Sequence, residues 1–554
     1  MIWQKRATWL LATYACAMLV ARMVPSFLPY VAETDWKQWV WEYHRYHLPG
    51  AFPAGHVVTD YTFLCQPPLY WAAMASLSTV FPPVDAAILL NVIAFAGALL
   101  ALAWAVSSRT SPLFGAAAAA LLARDDSFHL VTWGGYPRTF GPTLVLLFLA
   151  LWLRARHRLV LLVLILEAAI YPSVVVPCGL AYGAWSVLLA GKVGWLRRNM
   201  ELAVTGAAVA VLGLLQNIQA PDWWGPVVTL AEAKDMPALG PHGRFQWFPL
   251  DPFFGRVLTY LTQPFGKSGL GAQFFPWPSL WVASMFLAVM VAAVVVCVRK
   301  KVKVPLEPFL LMAAALVAFV AARELAFKLY LPRRVVQHTL PYAVYVAFVI
   351  VVVNAAKALW PNASTHVGPS AKATKVALGV VLAVFVLCGD GMRVTALKSY
   401  ARDQELYEWI DANTAVTAQL AGNLQPLDEI PLFSRRQVFV NWKMAHPIRK
   451  GYYAEMERRI LAMYSAYYAN DLDAVVKFAD AEKIDYLVID KTRFDDVEKG
   501  DGQLFEPVRS TVKRMFDERK DHGFALHPPP AEAVVFHHRV YDVIDVRKLR
   551  DLKP

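Results

Sequence analysis

Residues 67–81 read PPLYWAAMASLSTVF, and whether this run crosses the bilayer decides the topology of the whole chain. At about 15 residues it falls short of the ~20 that a helix needs to span the hydrocarbon core. Longer apolar runs begin near residues 8, 84, 110, 139, 159, 173, 200, 277, 305, 335 and 374, which predicts about eleven membrane-spanning helices, some short or tilted. Charge then orients them. The densest basic loops are Arg154-Ala155-Arg156-His157-Arg158, Lys192 with Arg197-Arg198, and Arg299-Lys300-Lys301 with Lys303, and the positive-inside bias places them in the cytoplasm. Counting back from Arg154 puts 124–138 outside, 107–111 inside and the segment before residue 84 outside. Counting forward from Lys5 and Arg6, which precede an uncleaved first span, also puts 30–83 outside. The two counts agree only if 67–81 lies on the outer face as a juxtamembrane helix, with Tyr70 and Trp71 at the interface.

From that point 221–275 and 323–334 fall outside, 354–375 inside, and everything after Arg393 outside. The chain therefore divides into a transmembrane part, 1–393, with outer loops 30–83, 124–138 and 221–275, and an extracytoplasmic domain, 394–554. In this second part the texture changes. Segment 401–412 (ARDQELYEWIDA) is an amphipathic helix. The runs 437–441 (QVFVN), 485–490 (DYLVID) and 533–537 (AVVFH) read as buried strands, with helices around 454–468 and 472–482. Alternating helices and strands predict a small α/β domain.

Composition supports a multi-pass protein of the inner or plasma membrane. Of 554 residues 57% are hydrophobic, mean hydropathy is +0.40 and charged residues make up 17%. Apolar surface on this scale needs lipid to cover it. The formal net charge of +12 does not signal nucleic acid, because the basic residues sit between apolar spans. Four of the five cysteines, Cys16, Cys178, Cys297 and Cys388, lie in apolar runs, and Cys65 has no evident partner, so they are small buried hydrophobes and not a disulfide framework.

The outer face gathers the residues with chemical potential. The first loop opens with Glu33-Thr34-Asp35, two carboxylates at the membrane exit that can offer a general base and a metal ligand, or simply be solvated acids. The second runs from Arg124-Asp125-Asp126 through His129 to Gly134-Gly135-Tyr136-Pro137-Arg138. Its adjacent acids suit Mg²⁺ or Mn²⁺ or pair with arginine, and its glycines permit close backbone approach. Leu331-Pro332-Arg333-Arg334 stands where a span re-enters. Its arginines either snorkel to headgroups or hold a phosphate bidentately. Glu167 is the carboxylate inside an apolar run, functional by default or structurally paired. The third loop mixes Asp222-Trp223-Trp224, Glu232, Asp235, His242, Arg244 and Trp247, a composition suited to sugar stacking or to headgroups. No HExxH, Walker A, GxSxG or Cys/His zinc pattern occurs, which disfavours metalloprotease, ATPase and serine hydrolase.

In order and placement these features resemble the GT-C superfamily of membrane glycosyltransferases. The resemblance rests on the acidic pair Glu33/Asp35 after the first span, the QPPLYW helix at 66–71, the acids Asp125 and Asp126 after the third span, the LPRR stretch before a late span, and the soluble domain after the last. It covers essentially the whole chain through short motifs. It implies a polyprenyl-phosphate-linked sugar donor and a glycolipid, polysaccharide or protein acceptor. Asp35 or Glu33 would be the base, and Asp125 and Asp126 would bind a divalent metal or orient the acceptor. Arg333 and Arg334 would neutralise the leaving phosphate, with His129 and Arg138 at the substrate. The first motif is ExD and not a strict DxD. The WWDYG motif of oligosaccharyltransferases is missing from the tail, which disfavours protein N-glycosylation. Two further readings stand beside the enzyme: a non-catalytic accessory protein of envelope polysaccharide assembly, and a transporter built around Glu167. The enzyme reading expects Asp35 and Asp125 to face one cavity with Arg333 or Arg334 close by.

Overall fold

The computed structural model describes residues 2–125, 128–129, 132–218, 220–245, 247, 279–329, 331–359, 397–497 and 504–552. Within them the apolar runs fold as helices. Five are long and apolar enough to cross a membrane: Gln4–Phe27, Pro83–Ser107, Pro172–Leu189, Trp195–Leu215 and Pro332–Leu359. Pro112–Arg124 and Pro137–Leu153 are shorter apolar helices, and Leu287–Arg299 is the apolar end of the helix Ser279–Arg299. The run expected near residue 374 lies outside the described residues. The bundle exposes Leu100, Leu188, Leu196, Val204, Val211 and Leu214 at half or more of their surface. Such faces are stable only against lipid, so the chain is a multi-pass integral membrane protein.

The helix Pro68–Leu77 is ten residues long. At 1.5 Å per residue it rises about 15 Å, half the thickness of the hydrocarbon core, and it does not cross. Pro67 and Pro68 start it, since proline needs no N–H at the first turn. Gln66 fixes its entry, with its amide donating to Glu42 Oε1 at 2.5 Å while Tyr43 donates to its Oε1. Trp71 is half-buried. Tyr70, expected at the lipid interface, is instead buried in the main core.

One end of the bundle is a compact polar seam. Arg154 reaches Ser107 Oγ and the Trp104 carbonyl at 3.0 and 3.1 Å. Arg109 bonds the Leu153 carbonyl and pairs with Glu307 at 3.5 Å, and Arg158 pairs with Glu201 at 3.6 Å. The candidate site and the C-terminal domain are built on residues from other loops.

The C-terminal part holds a five-stranded sheet of order β4-β3-β5-β7-β6, with β3 Gln419–Gly422, β4 Gln437–Val438, β5 Tyr486–Asp490, β6 Val534–His537 and β7 Tyr541–Asp545. β4, β3 and β5 are parallel, whereas β7 and β6 add antiparallel. Helices Leu424–Phe433, Lys450–Tyr467 and Leu472–Glu482 cover it. The sheet centre, Tyr486–Asp490, is buried at every position, as expected of a strand covered on both faces.

This domain is not separate from the first loop. β1, Val31–Glu33, pairs antiparallel with β2, Leu397–Ser399, aligning Glu33 with Leu397. Trp36, Val40, Trp41, Tyr43 and Tyr61 of the loop share one hydrophobic core with Leu420, Leu427, Val438 and Val488 of the sheet domain. Aromatic rings pack across that core, with Tyr61 stacked on Tyr452 at 3.8 Å, and within the loop Trp41 lies against Phe52 at 4.6 Å. The loop is therefore held as firmly as the domain that covers it, and so is the acidic pair at its start.

A candidate active site around Glu33 and Asp35

β1 ends on Glu33, and the chain turns through Thr34 and Asp35 into the short helix Trp36–Trp39. The Asp35 carbonyl accepts the Gln38 and Trp39 amides at 2.9 and 3.2 Å, which starts the helix and leaves the Asp35 carboxylate to side-chain partners. Its amide donates to Glu33 Oε2 at 2.5 Å, Thr34 Oγ1 donates to Glu33 Oε1 at 3.2 Å, and Gln38 Nε2 donates to Asp35 Oδ1 at 3.0 Å.

Arg138 arrives from the loop before Gly141–Leu153. Its guanidinium lies 3.1 Å from Asp35 Oδ2 and 3.9 Å from Glu33 Oε1. It also lies over the Tyr136 ring at 4.6 Å and donates to the Tyr136 hydroxyl. Two glycines make this approach possible. Gly135 has φ +67, and a Cβ there would fall 1.8 Å from the Ala87 carbonyl oxygen. Gly134 accepts the Trp36 indole N–H on its carbonyl at 2.5 Å and donates its amide to Asn91 at 3.2 Å. A side chain at Gly135 would push the loop, and Arg138 with it, away from Asp35.

The sheet domain supplies the other wall. Lys443 lies 3.8 Å from Asp35 Oδ1. Arg244 holds that segment by donating to the Trp442 and Lys443 carbonyls at 3.1 and 2.7 Å, its guanidinium 4.3 Å from the Trp442 ring centroid. Asp428 accepts the Trp442 amide at 2.7 Å, and Asn441 reaches the Lys37 carbonyl at 3.2 Å. Lys37 pairs with Glu429 in a buried bridge between loop and domain. The sequence offered no signal for Lys443, Asp428 or Glu429, which reach Asp35 or its neighbour Lys37 only through domain packing. Arg244 was visible only as one polar residue among several.

The electrostatics separate the two acids. Burial works against the Asp35 charge, but Arg138, Lys443, Arg334 and Arg244 outweigh it and hold its carboxyl below the usual range. Glu33 is nearly inaccessible, and burial together with the Asp35 charge pushes it up to about 8 despite Arg138. The site thus favours the charge on Asp35 and the proton on Glu33. Burial likewise raises Glu429 to about 7, against the pull of Lys37.

Arg334 thus acts on Asp35 from the start of Pro332–Gln337, with its Nη1 3.4 Å from Gln337 Oε1. Arg333 beside it is exposed. The Asp125 side chain is 2% exposed and accepts the Tyr345 hydroxyl at 2.8 Å and the Phe128 amide at 3.4 Å. His129 is buried against Phe95, ring centroids 4.8 Å apart, with Nε2 2.7 Å from the Ala123 carbonyl. Asp125 and His129 therefore sit within the packed helices, and the 124–138 loop brings only its far end to Asp35. Asp126 lies outside the described residues. Glu167 is fully buried beside Cys178.

Of the two acids expected to bind a divalent metal, Asp125 is engaged by Tyr345 and Asp126 lies outside the described residues. No group of three His, Cys, Asp or Glu side chains gathers among them, and the Asp35 oxygens face Arg138, Lys443 and Gln38. Cations at a carboxylate occupy the positions that a metal would need.

No protein-family model matches the sequence, nor does any curated protein. Solved structures match over most of the chain. The archaeal oligosaccharyltransferase AglB from Archaeoglobus fulgidus, in complex with an inhibitory peptide and a dolichol-phosphate, aligns with 90% of this chain and 70% of its own, at TM-score 0.51 and 12% identity. The apo form of the Archaeoglobus fulgidus oligosaccharyltransferase aligns with 89% and 70%, at 0.52 and 11%. ArnT from Cupriavidus metallidurans bound to undecaprenyl phosphate aligns with 97% of this chain and 98% of its own, at 0.50 and 13%. The helical bundle, the folded first loop and the C-terminal sheet domain together have the fold of the GT-C glycosyltransferases.

Proposed function

We propose that the chain is an inverting glycosyltransferase on the extracytoplasmic face, moving a sugar from a polyprenyl-phosphate donor to a glycolipid, polysaccharide or protein acceptor. The observation that carries this reading is one ionised carboxylate, Asp35, surrounded by Arg138, Lys443, Arg334 and Arg244. Displacement at an anomeric carbon needs a base for the acceptor and cations for the departing anion. In the proposed step the acceptor hydroxyl oxygen forms the new bond to the anomeric carbon and its proton passes to Asp35. The bond from that carbon to the phosphate oxygen breaks, and its electrons leave with the polyprenyl phosphate towards Arg334 and Arg333. Glu33, protonated behind Asp35, holds the turn and is not the base.

The experiment is sugar transfer by the purified chain from a panel of polyprenyl-phosphate sugars, compared with Asp35→Asn. General bases contribute roughly 10²–10⁴-fold in rate, so Asp35→Asn should lose about that factor while keeping donor binding. Full activity in the variant would remove Asp35 as the base. The accessory reading draws on a different observation, that Arg138 and Gln38 already engage both Asp35 oxygens. It predicts no transfer from any donor by the wild-type chain.

A further inference from the structure

His338 is fully buried, and neither of its ring nitrogens has a hydrogen-bond partner. Neutral imidazole carries one donor and one acceptor, and a buried pair of this kind is ordinarily satisfied. His338 follows Pro332–Gln337 and donates its backbone N–H to the Arg334 carbonyl at 3.3 Å, one helical turn beyond the arginine. The Tyr171 ring stands edge-on at 5.0 Å. Gly141 lets the chain pack closely against both rings, since a Cβ there would meet His338 Nδ1 and the Tyr171 ring at 3.1 Å. The charges acting on the ring are Arg334 and Arg138, two of the four that act on Asp35.

A group able to accept a bond from this imidazole within the field of both guanidiniums is an anion with several acceptor oxygens. Phosphate fits, because each cation can take a different oxygen. We propose that His338 is a binding residue for the phosphate of the polyprenyl-phosphate lipid, donating its ring N–H to an oxygen that Arg138 and Arg334 also hold. This rests on the glycosyltransferase reading and deepens it by naming a third group at the leaving phosphate. As the bond to the sugar breaks, charge accumulates on that phosphate, and the His338 N–H is already in place to meet it.

The test uses the full-length chain in phosphatidylcholine nanodiscs titrated with undecaprenyl phosphate, comparing wild type with His338→Phe and His338→Asn. Phe keeps the ring volume and removes the donor; Asn returns an N–H near the Nδ1 position. His338→Phe should weaken binding by about tenfold or more, the effect expected of a hydrogen bond to a charged group, and His338→Asn should recover most of it. Competing inorganic phosphate separates a subsite that recognises phosphate alone from one that also needs the lipid. Dependence on His338 in either arm supports the assignment. Equal affinity of wild type and His338→Phe overturns it, as does a loss that Asn fails to recover, which marks a packing role. A wild-type chain that binds the lipid in a His338-dependent way yet transfers no sugar would refute the enzymatic reading and leave this assignment standing.

Discussion

Arg138→Met tests whether the electrostatics around Asp35 are functional. The guanidinium is 3.1 Å from Asp35 Oδ2, with side-chain exposures of 19% and 20% for the two residues, so water screens the pair only weakly. At an effective dielectric of about 20 the bare attraction is about 5 kcal/mol. The variant no longer buries a guanidinium, which offsets part of that, and Lys443, Arg334 and Arg244 still act on Asp35. The remainder corresponds to a hydrogen bond between charged groups, about 2–3 kcal/mol. If Arg138 holds Asp35 in its reactive orientation and protonation state, transfer should fall roughly 30- to 150-fold at neutral pH. The acidic limb of the rate profile should also move to higher pH, because Asp35 loses a cation that favours its charged form. Arg138→Lys keeps the charge without the fork and should fall between wild type and Met. The assay is initial rate against pH with a saturating polyprenyl-phosphate sugar, beside a thermal-inactivation midpoint that reports folding. A Met variant within threefold of wild type, with an unmoved acidic limb, would refute the reasoning.

Gly135→Ala should be at least as harmful as Arg138→Met, since its Cβ meets the Ala87 carbonyl at 1.8 Å and its φ is +67. Lower activity together with a lower inactivation midpoint would show it. Glu33→Gln should change stability in a pH-dependent way. Glu33 rises from an ordinary 4.5 to about 8 in the folded chain, so the native state holds a proton that the unfolded state has released. Its contribution is complete below the unfolded value and is lost as pH rises towards 8. The Gln variant should therefore inactivate at a higher temperature than wild type at pH 8, with the gap shrinking at pH 5; a constant gap refutes the assignment. Lys37→Met leaves Glu429 buried without its cation, and breaking such a pair costs about 3–5 kcal/mol when the partner stays charged. Limited proteolysis should release the C-terminal domain faster than from wild type, and the excess should grow above pH 8, because losing Lys37 raises Glu429 further from its value of about 7 in the intact pair and the carboxyl escapes the penalty only while protonated. Adding Glu429→Leu should reverse much of the loss.

The chain's own order of residues settled a good deal. Spans announce themselves because lipid demands ~20 apolar residues in a row, and the shortness of the helix at Pro68–Leu77 followed from the length of its apolar run. In the sheet domain, residues 485–490 and 533–537 read as strands because their apolar runs are contiguous, and both match strands that form, Tyr486–Asp490 and Val534–His537. Gln419–Gly422 escaped notice, having no β-branched residue, and Tyr541–Asp545 escaped because its two aspartates interrupt the apolar run. Glu33, Asp35, Arg138 and Arg334 stood out by type and placement. Their relation did not, and neither did the different fates of Asp125 and His129, which packing buries among the helices. Only tertiary structure could bring Lys443 and Arg244 to a carboxylate some two hundred to four hundred residues earlier. Only burial together with the cations that folding gathers could push two acids two positions apart in opposite directions. Sequence specifies which groups ionise in water, whereas the sign each carries in the site depends on desolvation and on neighbours that folding selects.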